Sequence, residues 1–383
     1  MSEILILITL GFFIFTSPYL AKVLKIPVSP TEIILGIIAG NLGLLYANPT
    51  FDFASKIGFY YLMFLAGAEV DFRFLFKISR QILKKSLLFL TLLYILGAIL
   101  VAIFDLPNLI IIAVPLMSVG LLSTLYKDYG KDEEWLNLAM LVGVLGEIVS
   151  IVALSVVGIY LKDGFGASML LKIGSLVGFI GAIALVFKSL EMVFWWYPSL
   201  KTIIMPHYDK NEKDIRFAMA IFCLICASAS WLDIEIFIAA FIAGAFLPTF
   251  FSHKEGLVPK LSSFGFGFIV PIFFIHTGAA VELDALLMPG VLKFCLLLAG
   301  IMIFTRILCA GVFWEILRAR AGALFALSLS MPLTLLIATA TLFFEANFIS
   351  KEIYYAMIVA SLIEALVCMI GINLIYNRTK QKS

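Results

Sequence analysis

Charge is scarce in this chain. Asp, Glu, Lys and Arg make up 14% of its 383 residues, against 63% hydrophobic residues. A water-soluble domain carries roughly 25% charged residues, so the composition excludes a protein that covers itself with solvated side chains. Histidine is rarer still, with three residues. Neither H-E-x-x-H nor G-x-S-x-G occurs, which removes the usual intramembrane hydrolases and leaves no enzyme to propose. No Gly-rich phosphate loop is present, and a formal net charge of +2 makes no nucleic-acid surface. The five cysteines, Cys223, Cys226, Cys295, Cys309 and Cys368, all fall in apolar runs. Cys223 and Cys226 form a C-x-x-C, but no second Cys or His pair follows at zinc spacing. They read as small residues at helix interfaces, and no cofactor is expected.

What the chain has in abundance is long apolar segments. They run at 3–24, 28–46, 54–70, 81–104, 107–126, 135–161, 168–190, 213–231, 234–252, 261–281, 288–314, 320–344 and 352–376. Runs of about 20 apolar residues are bilayer-spanning helices, so the expected fold is an all-α polytopic membrane protein with thirteen transmembrane helices. The first run lacks a basic leader region and an A-x-A-like cleavage site, so it reads as a retained helix. The loops after odd-numbered segments, with the C-terminus, hold 21 of the 27 Lys and Arg residues. By the positive-inside rule the C-terminus is cytoplasmic and the N-terminus outside, which requires an odd number of spans. The connection Glu191 to Asp214, aromatic and then mixed in charge, reads as an interfacial linker.

Four local patterns occur twice in the same order. "EIILGIIAG" from Glu32 is echoed by "EIFIAAFIAG" from Glu235, and "FLAGAEVDFRFL" from Phe64 by "FIHTGAAVELDALL" from Phe274. "VPL" at Val114 matches "MPL" at Met331, and "MLVGVLGE" from Met140 matches "MIVASLIE" from Met357. Equivalent spans lie seven apart, so the halves insert upside down relative to each other. Two inverted six-helix repeats, 3–161 and 213–376, are joined by a linker helix and loop, 162–212. This is the layout of a secondary transporter.

The fifth and twelfth spans are each interrupted by proline, Pro115 and Pro332, near small polar residues. Proline removes a backbone donor and breaks the ladder, so two crossed broken helices would turn dipole ends towards an ion. Three ionisable residues sit near the centre of a span: Glu147, Arg306 and Glu364. Each costs about 2.5–3.5 kcal/mol at the bilayer centre on insertion scales. One Arg cannot compensate two carboxylates in a dry site, so one carboxylate binds either a proton or a cation. Glu147 is the better candidate, because Gly146 lets backbone approach and Ser150, at i+3, shares its helix face. Glu364 reads as the structural partner of Arg306. His276 reads as an interface residue.

"PTEIILGIIAGNLGL", "YYLMFLAGAEVDF", "IVPIFFIHTGAAVEL" and "IFTRILCAG" resemble the monovalent cation:proton antiporters of the Kef-type and bacterial sodium/proton exchanger branch, over Ile4 to Leu374. The resemblance implies a homodimer in the plasma (inner) membrane. It assigns the first three and the eighth to tenth spans (3–70, 213–281) to a dimerisation part. The fourth to sixth and eleventh to thirteenth spans (81–161, 288–376) would form the ion-transport core. It also implies that Glu147 binds the ion, with Na+ favoured and K+ the other candidate, and that Arg306 occupies the basic position of the eleventh span. Two departures stand out. Gly146 replaces the residue that often partners the basic side chain, so Arg306 must pair elsewhere, with Glu364 the candidate; with Gly120, Gly146 is also grouped with the helix breaks. Gly120 also occupies a position often held by Thr, with Ser118 and Ser123 as the nearby hydroxyls. The 383 residues do not extend into the nucleotide-binding domain that many Kef-type proteins carry, so ligand-gated potassium efflux is not expected. A sodium-coupled symporter for a small organic anion is the competing reading, and the apolar crossing offers it few polar side chains.

Overall fold

The computed structural model describes residues 2–46, 48–70, 79–130, 133–197, 199, 212–250, 256–286, 288 and 290–380, and these are helical with no strand among them. In order the helices are α1 (Ser2–Leu24), α2 (Val28–Asn41), α3 (Pro49–Ala68), α4 (Arg80–Ile103), α5 (Ile110–Ala113), α6 (Gly120–Tyr129), α7 (Glu134–Asp163) and α8 (Ala167–Trp196). They continue as α9 (Lys213–Trp231), α10 (Ile236–Phe250), α11 (Leu257–Ala279), α12 (Leu283–Leu286), α13 (Val291–Cys309), α14 (Ala319–Leu329), α15 (Leu333–Glu345) and α16 (Lys351–Lys380). Among the described residues nine helical stretches are long and apolar enough to cross a membrane, and α2 and α10 supply shorter apolar helices. A helix satisfies every backbone group internally, which is what hydrocarbon demands. Most of the linker loop, with Lys201 and Lys210, lies outside the described residues, as do Arg73, Lys77, Lys131, Lys254 and Lys382.

Local chemistry sets the helix ends. α3 starts where Asn48 accepts a hydrogen bond from the Thr50 amide (2.9 Å) and Pro49 takes the first helical position. Ser79 caps α4 by accepting from the Ile82 amide at 3.3 Å. α6 stops at Gly130, whose φ of 90° suits glycine. α11 carries one π-helical turn at Gly265–Ile269, a rare form that occurs mostly as single turns inside α-helices.

The helices sort into two packed groups. In one, α2 lies against α11 and α3 against α10, with α1 and α9 on the flanks. Backbone touches backbone here: a Cβ on Gly67 would fall 1.9 Å from the Phe241 carbonyl oxygen, and one on Gly244 would fall 1.8 Å from that of Phe64. Gly36 faces Ile275, and Gly278 faces Ile33, in the same manner. Small residues at such crossings replace the hydrophobic drive that lipid-exposed helices lack. In the other group α13 packs against α16 and α4, α14 against α7 and α16, and α15 against α16. Phe89 of α4 meets Phe313 and Phe325 within it, at centroid distances of 5.9 and 5.6 Å.

Two helices break inside the second group. Residues 114–119, which include Pro115, separate α5 from α6, and residues 330–332, which end in Pro332, separate α14 from α15. Gly120 opens α6 at the edge of the first break. Gly146 is a correction to the sequence reading, because α7 runs unbroken through it. Its missing side chain serves packing instead: a Cβ there would lie 2.2 Å from Met117 Sδ.

Candidate ion-binding site

Glu147 is fully buried in the middle of α7. Its carboxylate faces the first break, where the unwound chain has amides to spare. The Val119 amide, at the start of α6, donates to Glu147 Oε2 at 3.3 Å, and Ser118 Oγ donates to Oε1 at 3.4 Å. Ser118 Oγ also shares a 2.6 Å hydrogen bond with Thr334 Oγ1, at the start of α15. The carboxylate, the hydroxyls and the two breaks therefore form one connected polar centre. An N-terminal amide and the positive end of α6 both favour negative charge there. No basic side chain lies within ion-pair distance of Glu147 among the described residues. The site thus has a buried carboxyl and hydroxyl oxygens, and among the described residues no fixed cation.

The other groups at the breaks are satisfied by side chains of different helices. Ser150 Oγ accepts from the Met117 amide (3.2 Å) and donates to the Gly146 carbonyl (2.7 Å). Ser150 thus supports the break rather than pointing an oxygen at Glu147. Arg306, fully buried on α13, donates to the Met302 carbonyl at 2.8 Å and to the carbonyl of Leu116 in the first break. Its Nη1 stands 3.7 Å from Oε1 of Glu364, also fully buried. Neither Glu364 oxygen has a hydrogen-bond partner. One turn further along α16, Cys368 Sγ donates to the Ser330 carbonyl in the second break at 3.3 Å. α13 and α16 therefore each place one side chain on the unwound backbone of one break.

Two groups escaped the sequence reading. Thr334 follows Pro332 by two residues, as Met117 follows Pro115, and its hydroxyl became visible only once the two breaks met. Glu69, at the end of α3, accepts from Ser123 Oγ of α6 at 2.6 Å, which ties α3 to the helix that follows the first break. It lies within the repeated "FLAGAEVDF" stretch, so the repeat was the signal that could have found it. His276 sits away from this centre, with its Nε2 2.7 Å from Asp52 Oδ1 and its ring edge-on to Phe51.

Helices interrupted beside a buried carboxylate are the build of an ion-coupled membrane transporter. Residues 11–377 match the family described as sodium/hydrogen exchanger, transmembrane, and the chain belongs to that family. It is 25% identical over 386 residues to the protein named "Putative Na(+)/H(+) antiporter YjbQ" of Bacillus subtilis, covering 94% of this chain and 60% of that protein. The chain therefore spans about 60% of the length of YjbQ. It is 24% identical over 301 residues to the Na+/H+ antiporter NhaS4 of Synechocystis, covering 70% of this chain and 71% of that one. Its fold is similar to that of the sodium proton antiporter MjNhaP1 from Methanocaldococcus jannaschii, with a TM-score of 0.70 at 20% identity. That match covers 97% of this chain and 96% of the other.

Proposed function

We propose that the protein exchanges protons for a monovalent cation, Na+ or K+ with Na+ favoured, across a plasma membrane by alternating access, with Glu147 as the exchanging group. The observation that carries this reading is the carboxylate itself. It is fully buried, it receives one amide and one hydroxyl, and no basic side chain among the described residues pairs with it. A bare carboxylate in hydrocarbon is costly, so Glu147 crosses the membrane only when neutralised. A proton or a cation neutralises it, and each excludes the other. That competition is exchange.

Ser118 and Thr334 supply further oxygens for the dehydrated cation. The names of the relatives agree with this activity. The proposed architecture has thirteen spans, an outer N-terminus and a cytoplasmic C-terminus. Its two six-span repeats are inverted and joined through α8. The repeat reading is supported by the reciprocal glycine contacts, in which Gly67 of α3 meets α10 while Gly278 of α11 meets α2. The group of α1–α3 and α9–α11 would pair two subunits in a homodimer. The group of α4–α7 and α13–α16 would move against it, carrying the ion.

The test is proton flux in everted vesicles as Na+ and then K+ salts are added, for the wild type and Glu147→Gln. Gln keeps the volume and cannot cycle a proton, so exchange should vanish while the protein remains in the membrane at normal levels. Cation-driven flux persisting in Glu147→Gln would remove Glu147 from the mechanism.

A further inference from the structure

The lipid-facing stripe of α4 changes character along its length. Arg80 and Lys84 are exposed at its start, and Leu87, Leu88, Ile95 and Ile99 continue the same helix face, all exposed. Spacings of four, three, one, seven and four residues keep these side chains on one side of a helix. α13 carries a second such stripe, Phe304, Ile307 and Leu308, which ends at Trp314 (64% exposed). Three residues after Glu315, the exposed Arg318 stands at the N-cap position of α14, where its side chain makes no capping hydrogen bond.

These two stripes end side by side. Lys85 of α4 bonds Glu315 at 2.5 Å, and Phe89 contacts Phe313 and Phe325, so the starts of α4 and α14 flank the turn that holds Trp314. Both helices begin without an acidic residue in the first turn. Each instead adds basic side chains to the positive end of its dipole, an arrangement that is unfavourable without an anion. Glu315 is occupied by Lys85, and Arg320 donates to the Ile375 carbonyl at 2.7 Å. Glu133, at the start of α7, accepts from Tyr376 (2.8 Å) and Trp135 (2.9 Å). Among the described residues no carboxylate pairs with Arg80, Lys84 or Arg318, and all three are exposed.

We propose that the joined ends of α4 and α14 seat the headgroup of an anionic phospholipid, held by Arg80, Lys84 and Arg318 with Trp314 at the interface. The acyl chains would lie along Leu87, Leu88, Ile307 and Leu308. The exposed apolar side chains on these two packed helices select a lipid over a soluble anion, which would gain nothing from them. Juxtamembrane cations attract anionic lipids in this way, and Trp favours the headgroup level. The site is on the face proposed to be cytoplasmic, and it does not depend on the exchange reading.

The test is thermal unfolding of the detergent-purified full chain with added phosphatidylglycerol, phosphatidylcholine or inorganic phosphate. Phosphatidylglycerol should raise the melting temperature more than phosphatidylcholine does, and phosphate should do nothing. Arg80→Gln/Lys84→Gln/Arg318→Gln should lose most of the difference between the two lipids. Arg80→Lys/Arg318→Lys should keep it, and Lys84→Gln alone should lose part, which serves if the triple variant does not fold. Equal shifts from both lipids, an undiminished phosphatidylglycerol shift in the triple or Lys84→Gln variant, or a phosphate shift as large as that of the lipid would overturn the proposal.

Discussion

Ser118 and Thr334 lie in different helix breaks, 216 residues apart in sequence, and share a hydrogen bond of 2.6 Å. Through Ser118 this bond reaches Glu147 at 3.4 Å, so both breaks act on one carboxylate. Thr334→Val keeps the shape and removes the hydroxyl. A buried hydrogen bond contributes about 0.5–1.5 kcal/mol net, so the cation KM should rise about two- to tenfold. Ser118→Ala loses contacts to both Thr334 and Glu147 and should raise KM further. The sodium dependence of proton flux measures this, and an unchanged KM in Thr334→Val would leave that hydroxyl a structural role only.

Arg306 and Glu364 should not be equally costly to remove. Arg306 holds the carbonyls of Leu116 and Met302 besides facing Glu364 at 3.7 Å, whereas the Glu364 oxygens have no hydrogen bond. Removing one partner of a buried pair costs about 3–5 kcal/mol. Arg306→Ala pays that and also strips the first break of a donor, so its melting temperature should fall more than that of Glu364→Gln. Thermal unfolding of the two purified variants decides the order. A stable, inactive Arg306→Ala would place the guanidinium in the ion site instead.

Met117 Sδ occupies the space that a side chain at position 146 would need. Gly146→Ala should therefore push Met117, and with it the Met117 amide that Ser150 holds. Overpacking of this kind costs about 1–3 kcal/mol. The cost should shrink in Gly146→Ala/Met117→Ala, where the sulfur is gone, and a double-mutant cycle on stability reads the coupling. Additive losses would show that the two residues do not compete for this space.

The sequence made the helices legible because hydropathy answers directly to the bilayer. It also exposed Glu147, Arg306 and Glu364, because a charge in hydrocarbon has few innocent explanations. Pro115 and Pro332 pointed at the breaks for an equally local reason, the missing amide. Gly146 was misjudged as a break because a glycine within a helix signals either a bend or a close approach. Only the facing Met117 distinguishes the two. Ser150 was misjudged in a related way, since helix periodicity gives the face of a hydroxyl but not its partner. Thr334 and Glu69 stayed hidden because their roles depend on contacts across the fold, with Ser118 and Ser123.

The last expectation concerns charge movement. The buried core carries Arg306 and Glu364 as a facing pair, and Glu147 is buried at the first break. Arg306 is effectively always protonated, so as an ion pair it and Glu364 sum to zero. In the proposed exchange, Glu147 then decides the charge of the moving unit. With a proton or with one monovalent cation bound, that unit is neutral, and both transits cross the membrane field without electrical work. With Glu147 empty and ionised it carries one negative charge in hydrocarbon, and that crossing is suppressed. The expected stoichiometry is one proton for one cation, hence electroneutral exchange. In proteoliposomes a sodium gradient should drive proton movement without building a potential. Clamping a potential with valinomycin and K+ should leave the sodium-driven rate unchanged. A potential generated by turnover would mean that a second proton travels, and Glu364→Gln should then abolish it while one-for-one exchange survives.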